Sequence, residues 1–175
     1  MLSLPVGGRW IAHIERQTMS QQHAVTAFWQ AYLTRLPEAH PHHHAGYKVW
    51  SFGDSPALAD ELLRLVLDGV KTATAGSLWE YEAENEAIPE VGSLSIVLDG
   101  RGMPACILET VEVFIRPFNE IPAEFAYDEG EDERTLESWR REHQKYWTRA
   151  LAVIGRTFSP DMPVVAERFK LIFPS

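Results

Sequence analysis

One stretch constrains this chain more than any other: Ser55-Pro56, then Leu58, Leu62, Leu65 and Val66, then Gly69. Serine caps helix N-termini, and proline fits the first helical position, where its missing N–H has no partner to lose. The four apolar residues recur at helical spacing and predict a buried stripe. Gly69 stands where a C′ glycine closes a helix. Lys71-Thr72-Ala73-Thr74-Ala75-Gly76 follows directly and leans towards strand.

The rest of the chain alternates less regularly. Ala24, Val25, Phe28, Ala31, Tyr32 and Leu36 predict a helix over Gln21 to Leu36, ended by Pro37. Tyr47 to Gly53 reads as a short extended segment. Trp79 to Ile88 is acidic and reads as an exposed helical turn or loop. Leu94 to Leu98 and Pro104 to Val113 read as two strands of a hairpin, with Asp99-Gly100 as the turn. Phe118 to Ala126 has helical character broken by Pro122, and Asp128 to Arg134 reads as a solvent-facing loop. Thr135 to Thr148 is an amphipathic helix with Leu136, Trp139, His143, Tyr146 and Trp147 near one side. Val164 to Phe173 is a final strand. Short strands mixed irregularly with helices point to an α+β fold.

Composition sets the outer limits. With 175 residues the chain fits one domain, and six Trp, five Tyr and eight Phe exclude global disorder. The lone Cys106 excludes a disulfide scaffold and a four-cysteine zinc site, and fits a reducing, cytoplasmic setting. No apolar run is long enough for a membrane helix, and the first twenty residues read poorly as a signal peptide. Met19 is a second possible start, with Met1–Thr18 as an extension. The run His40 to His44 admits a metal reading, but a natural loop is favoured because such a run supplies ligands without fixed geometry.

The formal charge is -9, from 16 basic and 25 acidic residues. That disfavours a protein coating long nucleic acids, whose affinity rests on many phosphate contacts. It leaves room for a nucleotide-sized ligand. Gly46–Thr110 has four basic residues against eleven acids, whereas Glu131–Ser175 has eight against seven. Arg141, Lys145 and Arg149 lie four apart on one helix face, either an ordinary solvated surface or a phosphate-contacting stripe.

Gly69-Val70-Lys71-Thr72-Ala73-Thr74 is the constellation with chemical potential. It is not a Walker A loop, since the glycine-rich approach and the Gly-Lys-Ser/Thr order are missing. In an enclosed pocket, Lys71 can hold an oxygen anion or act as a base, and a threonine hydroxyl can act as a nucleophile. In a fully extended segment Lys71 and Thr74 would need a bend to meet.

These residues and others resemble the ASCH domain family. The shared pattern comprises Gly69 to Thr74, Trp79, Pro89-Glu90-Val91-Gly92-Ser93, Ala126-Tyr127-Asp128-Glu129-Gly130-Glu131-Asp132 and Trp139-Arg140-Arg141-Glu142-His143. The resemblance implies a PUA-like mixed β-barrel with flanking helices over 46–175, with 1–45 as an N-terminal extension and helix packed on it. It also implies a catalytic set of Lys71, Thr74 and Glu129, like that of metal-independent amidohydrolases that deacetylate N4-acetylcytidine. Substrate-binding candidates are Trp50 and Trp79 for base stacking, with Arg140 and His143. Arg141 and Lys145 are the candidate phosphate contacts. No cofactor is expected. The expected partner is a small modified nucleoside or nucleotide, or short single-stranded RNA. Relatives that bind RNA, or resemble single-strand-specific ribonucleases, supply the alternatives of an RNA-binding module or a ribonuclease.

Overall fold

A computed structural model describes residues 9–10 and 19–174. The possible extension Met1–Thr18 otherwise lies outside the described residues. In chain order the elements are β1 (Arg9–Trp10), α1 (Met19–Leu33), β2 (Lys48–Phe52), α2 (Pro56–Leu67), β3 (Ala73–Ser77), α3 (Leu78–Glu84), β4 (Leu94–Leu98), β5 (Pro104–Pro117), α4 (Ala123–Glu129), α5 (Leu136–Val153) and β6 (Pro163–Pro174). Short 3-10 helices occupy Pro41–His44 and Phe118–Glu120. The sheet order is β1-β2-β4-β5-β6-β3, curled into a half-barrel. Among the described residues, only the β2–β4 pair is parallel. The fold is α+β and PUA-like, as the sequence pattern implies.

Three apolar clusters hold the layers together. Helix α1 lays Val25, Trp29, Tyr32 and Leu33 over Leu94, Ile96, Ile107 and Phe173. Helix α2 packs Leu62, Leu63 and Val66 against Trp50, Phe52, Cys106 and Phe169. Helices α4 and α5 close the third cluster around Phe118, Phe125, Trp139 and Trp147. Full burial of one such side chain is worth about 1.5–3 kcal/mol. Burial also pushes the Cys106 thiol up to about 12, keeping it in its protonated form.

Helix α2 begins and ends where Ser55 and Gly69 predict. The Ser55 hydroxyl accepts the Leu58 N–H, and Gly69 adopts a left-handed φ of 71°. Its deepest residues are Ala59, Leu62, Leu63 and Val66, so the buried face is turned from the predicted stripe. Leu58 and Leu65 are only partly buried: they pack on the edge of the core and, with Leu62, also border a cavity.

Pro122 breaks the Phe118 to Ala126 stretch as read: it separates the 3-10 turn Phe118–Glu120 from α4 and stands at the N-cap of α4, where no N–H is required. Two other segments are longer or more ordered than their sequence readings. The acidic stretch after Trp79 is a capped helix, since the Ser77 and Glu80 side chains form reciprocal bonds and Tyr81 is buried. Strand β5 runs on to Pro117 because β6 continues to pair with it. In the histidine run, the Tyr32 hydroxyl lies 2.6 Å from His42 Nδ1. Among the described residues no three metal-ligating side chains converge there or elsewhere.

Candidate functional site

Two chain segments meet at the site. The first leaves α2 through Gly69, with the Lys71 N–H bonded to Leu65 O. The second is the C-terminal end of α4, whose Asp128 carbonyl accepts the Thr72 N–H at 2.8 Å. Gly130 ends α4 with φ 73°, and a Cβ placed there would lie 2.6 Å from Val70 O. Only glycine fits both the backbone angle and this approach. The turn it makes returns the chain, so that Glu129 and Glu131 both reach Lys71.

The Lys71 ammonium is 1% exposed and has three acceptors. These are Glu131 Oε1 at 2.5 Å, Glu129 Oε2 at 3.2 Å and Glu129 O at 3.4 Å. The aromatic face of Phe52 lies 5.4 Å away. Burial alone would lower the pKa of Lys71, but Glu131 and then Glu129 raise it on balance. Burial likewise acts to raise that of Glu131, and Lys71, helped by His143, brings it below the ordinary carboxylate range. At neutral pH the cluster therefore pairs an ammonium with the ionised Glu131, and Glu129 accepts from the same ammonium.

Helix α5 supplies the other side. Trp139 Nε1–H donates to Glu129 Oε1 at 2.7 Å. His143 stacks on the Trp139 ring with centroids 4.2 Å apart, and its Nε2 lies 3.6 Å from the same oxygen. His143 Nδ1 lies 3.0 Å from the Trp139 carbonyl. A carbonyl can only accept, so Nδ1 carries the proton in the neutral ring and Nε2 carries the lone pair.

These groups border a cavity of about 310 Å³, whose wall includes Thr74, Glu129, Glu131, His143 and Tyr146. Thr74 is 9% exposed, and its hydroxyl makes no hydrogen bond to another described residue. Lys71 does not itself reach the cavity and lies behind the two carboxylates. Asp54, Glu61, Asp132 and Glu142 add four more acids to the wall, against Arg149.

The remaining sequence candidates lie elsewhere. Trp50 is buried in the core against Phe52, and Trp79 sits on α3 with Arg156 over its ring. Neither lines the cavity; the aromatic side chains that do are Phe52 and Tyr146. Arg140 bonds Asn119 O at 2.8 Å, tying α5 to the turn after β5. Arg141 and Lys145 are exposed and both bond to Glu142, at 2.8 and 2.9 Å. The Asp128 to Arg134 stretch is no simple solvent-facing loop, because the Lys71 charge draws Glu129 inside.

Sequence reasoning left Glu131, Trp139 and Tyr146 without a role in the site. The available signal for Glu131 was its spacing from Glu129 across a single glycine. For Trp139, nothing local marks an indole N–H that bonds a carboxylate ten residues back. Tyr146 is held by a donation from its hydroxyl to Glu80 Oε1 at 3.3 Å, and burial followed by Glu80 raises its pKa.

Residues 48–173 match the model of the ASCH domain family. The chain belongs to that family. ASCH domains have a PUA-like fold often linked to RNA binding. A crystal structure of an Enterococcus faecalis protein is 36% identical, covering 87% of this chain and 90% of that one, with a TM-score of 0.76. An ASCH domain from Lactobacillus crispatus is 27% identical, covering 86% and 95%, with a TM-score of 0.81. No curated protein matches the chain. Among the described residues, no helix is long and apolar enough to cross a membrane.

Proposed function

We propose that this ASCH protein is a metal-independent amidohydrolase acting on a small N-acylated nucleoside, with N4-acetylcytidine as the type substrate. The observation that carries this reading is the buried Lys71–Glu129 pair, joined by the half-buried Glu131, beside a cavity whose wall includes Thr74. A group of buried charges at a cleft with a free nucleophile is an expensive arrangement, found far more often at sites of chemistry than in plain cores. The cavity volume falls at the lower end of the range for small-molecule sites.

Hydrolysis of an amide needs a nucleophile, a proton acceptor and a donor for the departing amine. Thr74 Oγ, or a water held by it, attacks the carbonyl carbon. His143 Nε2 takes the proton, because its lone pair is fixed by the Nδ1 contact with Trp139 O. Glu129 Oε1, 3.6 Å away, stabilises the resulting imidazolium. The same proton then passes to the leaving nitrogen as the C–N bond breaks. Where Thr74 Oγ was the nucleophile, water then hydrolyses the Thr74 ester, giving a proton to His143 that returns to Thr74 Oγ as the acid leaves. Lys71 is charged and capped by carboxylates, which makes it a poor base. Its role is to hold Glu129 in place through its bonds to the carboxylate and the backbone carbonyl. Tyr146 offers the ring on which a base can stack.

Charge favours a small substrate without a long phosphate backbone. The cavity wall is rich in carboxylates, and Arg141 and Lys145 are both engaged by Glu142. An RNA-binding or ribonuclease role rests on the family's fold and has less support from this site. Incubation with N4-acetylcytidine, followed by chromatography for cytidine and acetate, tests the proposal. Thr74→Val and His143→Gln are each expected to lower kcat/KM by roughly 10²-fold or more. Absence of turnover of any N-acyl nucleoside, or full activity in both variants, would sink it. Salt-sensitive binding of short RNA, weakened by Arg141→Ala and Lys145→Ala, would favour the binding module instead.

A further inference from the structure

Strand β5 changes its surroundings half-way along. From Cys106 to Glu109 it lies between β4 and β6. Backbone bonds with Ser93 and Gly92 extend the outer pairing to Thr110. Beyond that, among the described residues, Val111–Pro117 pairs with β6 alone. In an antiparallel ladder alternate residues turn their N–H and C=O to each neighbour, so this length presents backbone groups to a side that no described strand occupies. Its irregularities sit at the two ends, a register shift between Thr110 and Glu112 and the proline at 117. The intervening edge has no lysine, and both Val111 and Ile115 are more than two-fifths exposed.

The edge is also complementary to itself. If two copies pair antiparallel about Phe114, Glu112 of each faces Arg116 of the other, and Val113 faces Ile115. Both pairings occur twice by symmetry. Arg116 makes no ion pair among the described residues and only approaches the Phe114 ring, at 5.3 Å. Glu112 accepts a bond from Arg168 on one oxygen and keeps the other. Charge and apolar matches therefore coincide in one register.

We propose that the Val111–Pro117 edge pairs with the same edge of a second copy, forming a two-fold dimer with a sheet continuous across both. The interface lies apart from the cavity and does not depend on the hydrolase reading. Sedimentation velocity of the full chain over a concentration series tests it. The wild type is expected to shift from monomer to dimer as concentration rises. Arg116→Glu and Glu112→Arg each set like charges opposite at two symmetric positions, weakening association by roughly tenfold. The double variant restores it. Because Glu112 also holds Arg168, Ile115→Lys provides an independent check: it changes an exposed residue to the one natural edges use against pairing, and should abolish the dimer. A wild type that stays monomeric to concentrations on the order of 1 mM overturns the proposal. So does a dimer unaffected by Ile115→Lys and Arg116→Glu, or a monomer whose edge takes up only an added extended peptide.

Discussion

Two clusters of the same ion types, one buried and one in water, have opposite meanings. At the end of α4, Lys71 sits between Glu129 and Glu131 with almost no solvent access. On α5, Glu142 sits between Arg141 and Lys145 with all three side chains at least two-fifths exposed. Nitrogen–oxygen distances of 2.5–3.2 Å in the first and 2.8–2.9 Å in the second hardly separate them. The dielectric surroundings do. Exposed pairs are screened and contribute little, whereas a buried charge that loses its partner cannot recover hydration. A local sequence count sees both clusters as acids near bases, so proximity of charge in the chain says little about which pair matters.

The difference between the two clusters is greatest at Lys71. Lys71→Ala leaves two inward-facing carboxylates without their cation and should destabilise the fold by about 3–5 kcal/mol in chemical denaturation. A change much smaller than this would mean that water already reaches the cluster. Glu129→Gln comes next. It removes charge from Lys71 but retains an oxygen that can accept the Trp139 N–H, so a loss of about 1–3 kcal/mol is expected, with Glu129→Ala costing more.

Acid titration sharpens the same contrast. Glu131 is held below the ordinary carboxylate range, so its contribution is present above about pH 4.3 and is lost as pH falls through its lower folded value. Lys71 is raised, so its contribution is complete below about pH 10.4 and is lost as pH rises through its higher folded value. Stability measured against pH should therefore show a plateau between these limits, with the acid limb reduced in Glu131→Gln. The smallest effect belongs to α5. Arg141→Ala and Lys145→Ala should leave the melting temperature unchanged within error, at low and at high salt. A salt-dependent drop in either would place that face in a working network.

How much was legible depends on the range of the signals. Helix α2 and the hairpin β4–β5 announce themselves through Ser55-Pro56, Gly69 and Asp99-Gly100, all local devices. Family resemblance brought Lys71, Thr74 and Glu129 to attention together. The partners that complete the site were hidden because their roles arise only by folding: Glu131 is 60 positions from Lys71 in the chain. Tyr146 reads as one more apolar residue on α5 until Glu80, 66 positions away, fixes its hydroxyl. Trp50 and Trp79 attracted attention by residue type, yet burial and packing assign them to support. Pro122 marked a true break, since it divides the 3-10 turn Phe118–Glu120 from the start of α4.

The close approach of Gly130 to Val70 acts as a gauge of a single atom's thickness. With room for a hydrogen but not a methyl group, it sets how far α4 stands from the segment carrying Lys71. A population of Gly130→Ala molecules must either spread these segments or bend the turn, and both movements separate the carboxylates from the ammonium. Mutational tolerance at this buried turn should thus be as poor as in the deepest core, because the fit there is measured from backbone to backbone and no side chain can shift to absorb the error.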